Sequence, residues 1–143
     1  MAERFLDQHL GHLLGQATHA VYKDFDEHVR RAGLSPSEWR VLAALHDAEP
    51  LTVGQLARQV RCQQPTATKL AQRMAEQGWV ALLADEADQR CTRVGVTPAG
   101  RRLVKPLVAQ ARAHEAHMLR ALGAGEKKVL RQLLSKLCKT TTN

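Results

Sequence analysis

The stretch from Leu51 to Gly100 constrains this chain most, because two short helical periodicities and two β-type runs follow one another with almost no linker between them. Leu51, Val53, Leu56, Ala57 and Val60 recur at helical spacing behind Thr52 and Gln55. A Thr-x-x-Gln pair of this kind is a capping box, which satisfies two amide donors orphaned at a helix start. A short helix is therefore predicted from near Thr52.

After Arg61 and Cys62 the periodicity resets at Gln63-Gln64-Pro65. Proline is tolerated in a first helical turn because its missing N–H would have had no partner there. The second helix is predicted from Pro65 to Gln77, with Ala67, Leu70, Ala71 and Met74 as its buried stripe. Gln64, Pro65, Thr66, Thr68, Lys69, Gln72 and Arg73 then lie on or beside the solvent face. Such a face suits double-stranded DNA: amides pair with adenine, threonine methyls touch thymine, and Lys or Arg neutralises phosphates or reads guanine. Gly78 stops the helix, and two strands are predicted, Trp79–Leu83 and Cys91–Val96, joined by an acidic turn that holds Asp88 and Arg90.

The flanks are helical. Leu6, Leu10, Leu13, Leu14, Ala17, Val21, Phe25 and Val29 follow helical spacing without proline, which predicts one helix from Glu3 to about Ala32, ended by Gly33. Ser35-Pro36-Ser37-Glu38 opens the next helix, with Ser35 as N-cap, leading into Trp39, Val41, Leu42 and Leu45 and ending before Pro50. Thr97-Pro98 repeats that chemistry and predicts a long helix to about Leu122; Gly123 and Gly125 separate it from a last helix, Glu126 to about Cys138. The long terminal segments carry apolar stripes that a small central module cannot cover, so a homodimer is expected, with a palindromic operator whose half-site centres lie about 10 base pairs apart.

Composition narrows the classes. The 143 residues carry a net charge of +7 with seven histidines besides, so an anionic partner is expected. No apolar run approaches the roughly 20 residues of a membrane span, and Met1–Leu10 lacks an apolar signal core, so no membrane partner and a cytoplasmic location are expected. Cys62, Cys91 and Cys138 are odd in number and lack metal-ligand spacing. The sequence offers no nucleophile elbow, no glycine-rich phosphate loop and no cofactor motif, so no enzyme is predicted. Five scattered aromatic residues make no stacking platform for single strands.

Five blocks in order resemble the MarR family of bacterial transcriptional regulators: Leu34-Ser35-Pro36-Ser37-Glu38-Trp39-Arg40-Val41-Leu42, Leu51-Thr52-Val53-Gly54-Gln55-Leu56-Ala57, Met74-Ala75-Glu76-Gln77-Gly78-Trp79-Val80, Asp88-Gln89-Arg90, and Val96-Thr97-Pro98-Ala99-Gly100. The resemblance implies a mainly α fold with a small β-hairpin wing: a winged helix-turn-helix over 34–97, flanked by dimerisation helices over 1–33 and 98–143. It implies that the helix from Pro65 reads bases, that Arg90 enters the minor groove, and that Asp88 orients Arg90 or braces the wing. Relatives commonly carry basic residues where this chain has Leu82 and Leu83, and an arginine at Gln89, so a weaker wing grip is expected.

His9, His12, Gln16 and His19 fall at i, i+3, i+7 and i+10, placing three histidines and an amide on one helix face. By resemblance, Trp39 and Arg40 would line a crevice for a small aromatic carboxylate or phenol, whose binding would favour a non-DNA-binding conformation and relieve repression. Arg40 can fork onto a carboxylate, and Trp39 can pack on an aromatic ring. Three alternatives stand beside this reading. His9 with His12, or His114, Glu115 and His117, could sense a metal. Cys62 before a helix start, or Cys91 beside Arg90 and Arg93, could sense oxidants. A basic helical adaptor for an acidic protein would use the same charges without DNA.

Overall fold

The computed structural model describes residues 2–88 and 90–141. The chain divides into two compact units, Met1–Gln110 and Ala111–Asn143.

The first unit begins with a correction. The N-terminal periodicity is not one helix: α1 (Phe5–Gln8) and α2 (Leu10–Arg31) are separated by His9, whose backbone is extended. The His9 imidazole accepts the His12 amide through Nδ1 at 3.2 Å, so His9 is the N-cap of α2 and not a member of its face. A side chain that caps a helix replaces the missing amide acceptor, and this stabilises a chain break in the middle of an apolar pattern. The helix ends at Gly33 (φ +83°), with the Leu34 amide on the Val29 carbonyl.

Helix α3 (Pro36–Leu45) starts as its sequence predicts: Glu38 N–H donates to Ser35 Oγ at 3.2 Å, and Ser35 N–H to Glu38 Oε1 at 2.9 Å. Strand β1 (Leu51–Thr52) follows, then α4 (Val53–Val60), whose box closes between Thr52 and Gln55 at 3.0 and 3.1 Å. Helix α5 (Gln64–Glu76), β2 (Val80–Ala84) and β3 (Thr92–Val96) complete the module. Sequence periodicity missed β1. Two residues are too few to show alternation, and Leu51 and Thr52 become a strand through antiparallel pairing with Val94 and Arg93. The sheet order is β1-β3-β2, so β3 is central and the wing is three-stranded at its base.

α3 packs on α4, α4 on α5, and α5 on β2. Val41, Leu42, Leu45, Leu56, Ala57, Val60, Leu70, Met74, Val80 and Val94 are buried between them. At about 1.5–3 kcal/mol for each large side chain removed from water, this cluster is the main favourable term in the unit. Phe25 and Val29 at the end of α2 join it, Phe25 meeting Trp39 edge-on with ring centroids 5.1 Å apart.

Helix α6 (Pro98–Met118) opens against the sheet. Thr97 Oγ1 donates to the Gly78 carbonyl at 2.6 Å and accepts the Gly100 amide at 3.1 Å. A Cβ added at Gly100 would lie 2.1 Å from the Trp79 carbonyl oxygen, so only glycine allows this approach. In the second unit α6 ends at Met118, short of the expected Leu122, and a 3-10 turn, Leu119–Ala121, follows. Helix α7 (Ala124–Thr141) is longer at both ends than its periodicity suggested; Glu126 caps it by accepting the Gly123 amide at 2.9 Å. Among the described residues no helix is long and apolar enough to cross a membrane.

Candidate nucleic-acid interface

The angle between α4 and α5 is set by Arg61, which adopts a left-handed conformation (φ 57°) at the end of α4. This lets Cys62 N–H reach the Ala57 carbonyl at 3.0 Å and turns the chain into α5. The rotation of α5 about its axis is then fixed by its buried stripe, Ala67, Leu70, Ala71 and Met74, as the sequence predicts. Gln64, Pro65, Thr66, Lys69, Gln72 and Arg73 are exposed and Thr68 is half-buried. The Thr68 hydroxyl donates to the Gln64 carbonyl at 3.0 Å, which leaves its methyl as the group able to meet a base.

Between α5 and the wing lies a groove of about 420 Å³. Gln64, Thr68 and Gln72 line it from α5, Thr52 and Gly54 from the start of α4, and Leu82, Arg90 and Thr92 from the wing. The fold thus brings Arg90 to the same concave surface as three of the helix residues. Pro65, Thr66, Lys69 and Arg73 lie outside that groove on the exposed surface of α5.

The wing turn is held by carboxylates. Asp88 Oδ1 accepts the Arg90 backbone amide at 3.0 Å, so Asp88 braces the turn through the main chain; Arg90 itself is exposed. Asp85 accepts the Ala87 amide at 3.0 Å and pairs with Arg93 at 3.2 Å. The Ala87 amide first, and the Arg93 cation as well, hold the Asp85 carboxyl below its ordinary value. Arg93 also donates to the Pro50 carbonyl at 3.1 Å, which ties the wing to the residue that leads into β1. Sequence reasoning missed this clamp; its only signal was an acidic residue and an arginine on opposite arms of a hairpin. Gln89 lies outside the described residues.

The expected effector residues separate into two places. His12 and Gln16 approach each other at 3.5 Å on the first turns of α2, His19 is exposed further along, and His9 stacks on Phe5 with ring centroids 4.8 Å apart. Trp39 instead packs on Phe25, which is about 20 Å along α2 from His12 at 1.5 Å per residue. Arg40 donates to Ser37 Oγ at 3.3 Å, while its Nε is buried without a hydrogen-bond partner. His46 Nδ1 is likewise buried and unpartnered, a feature that no sequence pattern marked.

Residues 32–90 match the model of the MarR family. A MarR family transcriptional regulator from Silicibacter pomeroyi is 36% identical in sequence, and its crystal structure superposes with a TM-score of 0.81 over 94% of this chain and 99% of that one. The chain belongs to the MarR family.

Two further MarR-like relatives match over most of the chain. The transcriptional repressor NicR of Pseudomonas putida is 26% identical over 95% of this chain and 86% of its own. BpsR of Bordetella bronchiseptica, whose DNA binding is regulated by 6-hydroxynicotinic acid, is 25% identical, with a TM-score of 0.80 over 96% and 98%. The chain spans about half the length of the curated relatives that match it over shorter stretches, 56% and 52%. MarR proteins are DNA-binding transcriptional regulators and not enzymes, and they act as dimers.

In this MarR protein the immediate neighbour of the Cys91 thiol is a carboxylate and not the arginines that flank it in sequence. The Asp88 carboxylate beside the thiol, followed by desolvation, raises its pKa above the ordinary value, and the opposing pull of Arg93 is the weakest of these influences. Cys91 Sγ lies 3.7 Å from Asp88 Oδ2. Among the described residues no group of three or more His, Cys, Asp or Glu side chains could hold a metal ion.

Proposed function

We propose that this MarR-family protein is a cytoplasmic homodimeric repressor that reads a palindromic operator with two copies of α5 and is released by a small aromatic carboxylate or phenol. The observation that carries the DNA reading is the convergence of Gln64, Thr68 and Gln72 with Arg90 on one groove. In this reading α5 enters a major groove, Gln64 and Gln72 pair with base edges, Lys69 and Arg73 neutralise phosphates, and Arg90 reaches the adjacent minor groove. Pro65 and Thr66, in the first turn of α5, lie at its closest approach to the duplex.

Homodimerisation is supported by apolar side chains left in water within each unit. Leu6, Leu10, Leu13 and Val21 are exposed on α1 and α2; Val129, Leu130, Leu133, Leu134 and Leu137 are exposed on α7. The five on α7 fall within an arc of about 140°, the stripe of a helix that packs on another protein surface.

The effector class is supported by the buried, unpartnered Nε of Arg40, a cationic donor suited to a carboxylate. The relatives BpsR, regulated by 6-hydroxynicotinic acid, and NicR, a repressor, favour the same class and sign. His12 and Gln16 would join such a site only from a second chain, given their distance along α2 from Phe25. Selection from a randomised duplex pool at about 150 mM salt is the test, since low salt inflates sequence-independent binding. Enrichment of a palindrome is expected; loss of that binding at saturating aromatic acid, and its retention in Arg40→Ala, test the effector. No enrichment would overturn the operator reading in favour of a basic adaptor.

A further inference from the structure

We infer that Leu82 is a specificity-determining residue of the groove: its apolar side chain forms the wing's wall beside Arg90, so the wing discriminates among sequences while adding little sequence-independent affinity. The inference rests on the proposal that this groove faces DNA.

Three observations carry it. First, position: Leu82 pairs with Val94 across the sheet and shares the face of buried Val80, yet it is 41% exposed and lines the groove beside Thr68, Gln72 and Arg90. The core ends at Leu82, and the next surface that can cover it is whatever enters the groove. Second, charge: residues 80–96 hold three carboxylates against two arginines, net −1, while residues 51–77 hold four cations against one carboxylate, net +3. Third, availability: Arg93 is already engaged by Asp85 at 3.2 Å and by the Pro50 carbonyl at 3.1 Å, so Arg90 is the one wing cation among the described residues with no carboxylate partner shown.

A cation placed on a phosphate binds every sequence equally, because the favourable term is counterion release. An apolar group in the same place gains only where it meets a sugar face or a thymine methyl, and it excludes water from polar edges that do not match. Leucine at this position therefore lowers affinity for random duplex more than for the operator.

The test compares Leu82→Arg with Leu83→Arg. Leu83 is the next residue on β2, points to the opposite face toward Gly95, and does not line the groove, yet its substitution adds the same charge. Binding of each variant and of wild type is measured on the duplex enriched from the randomised pool and on its scrambled version, from about 50 to 200 mM salt. For Leu82→Arg the affinity for scrambled duplex is expected to rise about 3- to 10-fold at low salt, with the salt slope steeper by about one and a matching fall in the operator-to-scrambled ratio. For Leu83→Arg the slope stays near wild type. Equal steepening in both variants, or none in Leu82→Arg, overturns the inference. Leu82→Lys supplies the same reading should the arginine variant fold poorly, as judged by its melting curve. Failure of wild type to separate enriched from scrambled duplex would instead overturn the DNA-reading proposal itself.

Discussion

The helices of the central module and the chain's two ends treat their leucines in opposite ways. Between Pro36 and Val96, Leu42, Leu45, Leu56 and Leu70 are buried, both capping boxes close, and the sheet pairs in a single register. On α1, the first half of α2 and α7, Leu6, Leu10, Leu13, Leu130, Leu133 and Leu137 stand in water. The same residue type with the same helical spacing thus produces a finished core in one region and an unfinished face in the others. What separates them is the presence of a partner within reach: three helices and a sheet meet in the centre, whereas the end helices find no covering surface within their own units. A self-contained reading head and partner-dependent ends should respond differently to substitution.

The largest expected effect attacks the ends. Leu130→Asp combined with Leu133→Asp places two carboxylates in the exposed stripe of α7, where an isolated chain would tolerate them at little cost. In a dimer seam they would be desolvated without partners. The expected result is a monomer mass by light scattering, a nearly unchanged circular dichroism spectrum over the central module, and a fall in operator affinity of more than about 100-fold, because the two half-sites no longer act together. A variant that stays dimeric and binds normally would erase the distinction between the regions.

The next effect attacks the centre. Gly100→Ala sets a Cβ against the Trp79 carbonyl oxygen, where one helix turn and the base of the wing are both backbone and cannot step aside. Overpacking of this kind costs about 3 kcal/mol, or about 10 °C in melting temperature for a chain of this size. Changes in melting temperature without a change in oligomeric mass would confirm that the centre folds on its own terms; an unchanged melting curve would mean that the approach of α6 to Trp79 is looser than it stands here.

Legibility followed the same division. The centre could be read because its signals are local: Ser35 with Glu38, Thr52 with Gln55, Pro65 in a first turn, Gly78 after the last, and a four-residue stripe on α5. The terminal helices could be placed but not bounded. Nothing in the periodicity of Leu6, Leu10 and Leu13 shows that His9 leaves the helix, since a histidine cap becomes visible only once its ring reaches the His12 amide. Of the groove, the α5 face and Arg90 were legible. The Arg93 clamp on Asp85 and Pro50, and the seat of Leu82, were not, because they depend on hairpin register and on the short pairing of Leu51 and Thr52 with β3.

A smaller change sharpens the account of how the centre is shaped. Arg61 pays for its left-handed backbone in steric strain of about 1–2 kcal/mol, which glycine would relieve at a cost of about 0.4–1 kcal/mol in unfolded-chain entropy. Arg61→Gly should therefore raise stability by about 0.5 kcal/mol in chemical denaturation. Destabilisation would show that the Arg61 side chain contributes contacts that its exposure hides.

The smallest expected effect concerns one thiol and no stability at all. Asp88→Asn keeps an oxygen to accept the Arg90 amide, so the turn survives, but it removes the charge that most raises the Cys91 pKa. The thiolate, not the thiol, reacts with alkylating agents, so at a fixed pH below the thiol's titration the variant should alkylate faster at Cys91, by about a few fold. Cys138, on α7, provides the internal standard because its rate should not change. Peptide mass spectrometry of partially labelled protein separates the sites. Equal acceleration at both would mean that the substitution had loosened the chain as a whole, and the contrast between a braced centre and open ends would then fail at the wing turn that Asp88 braces.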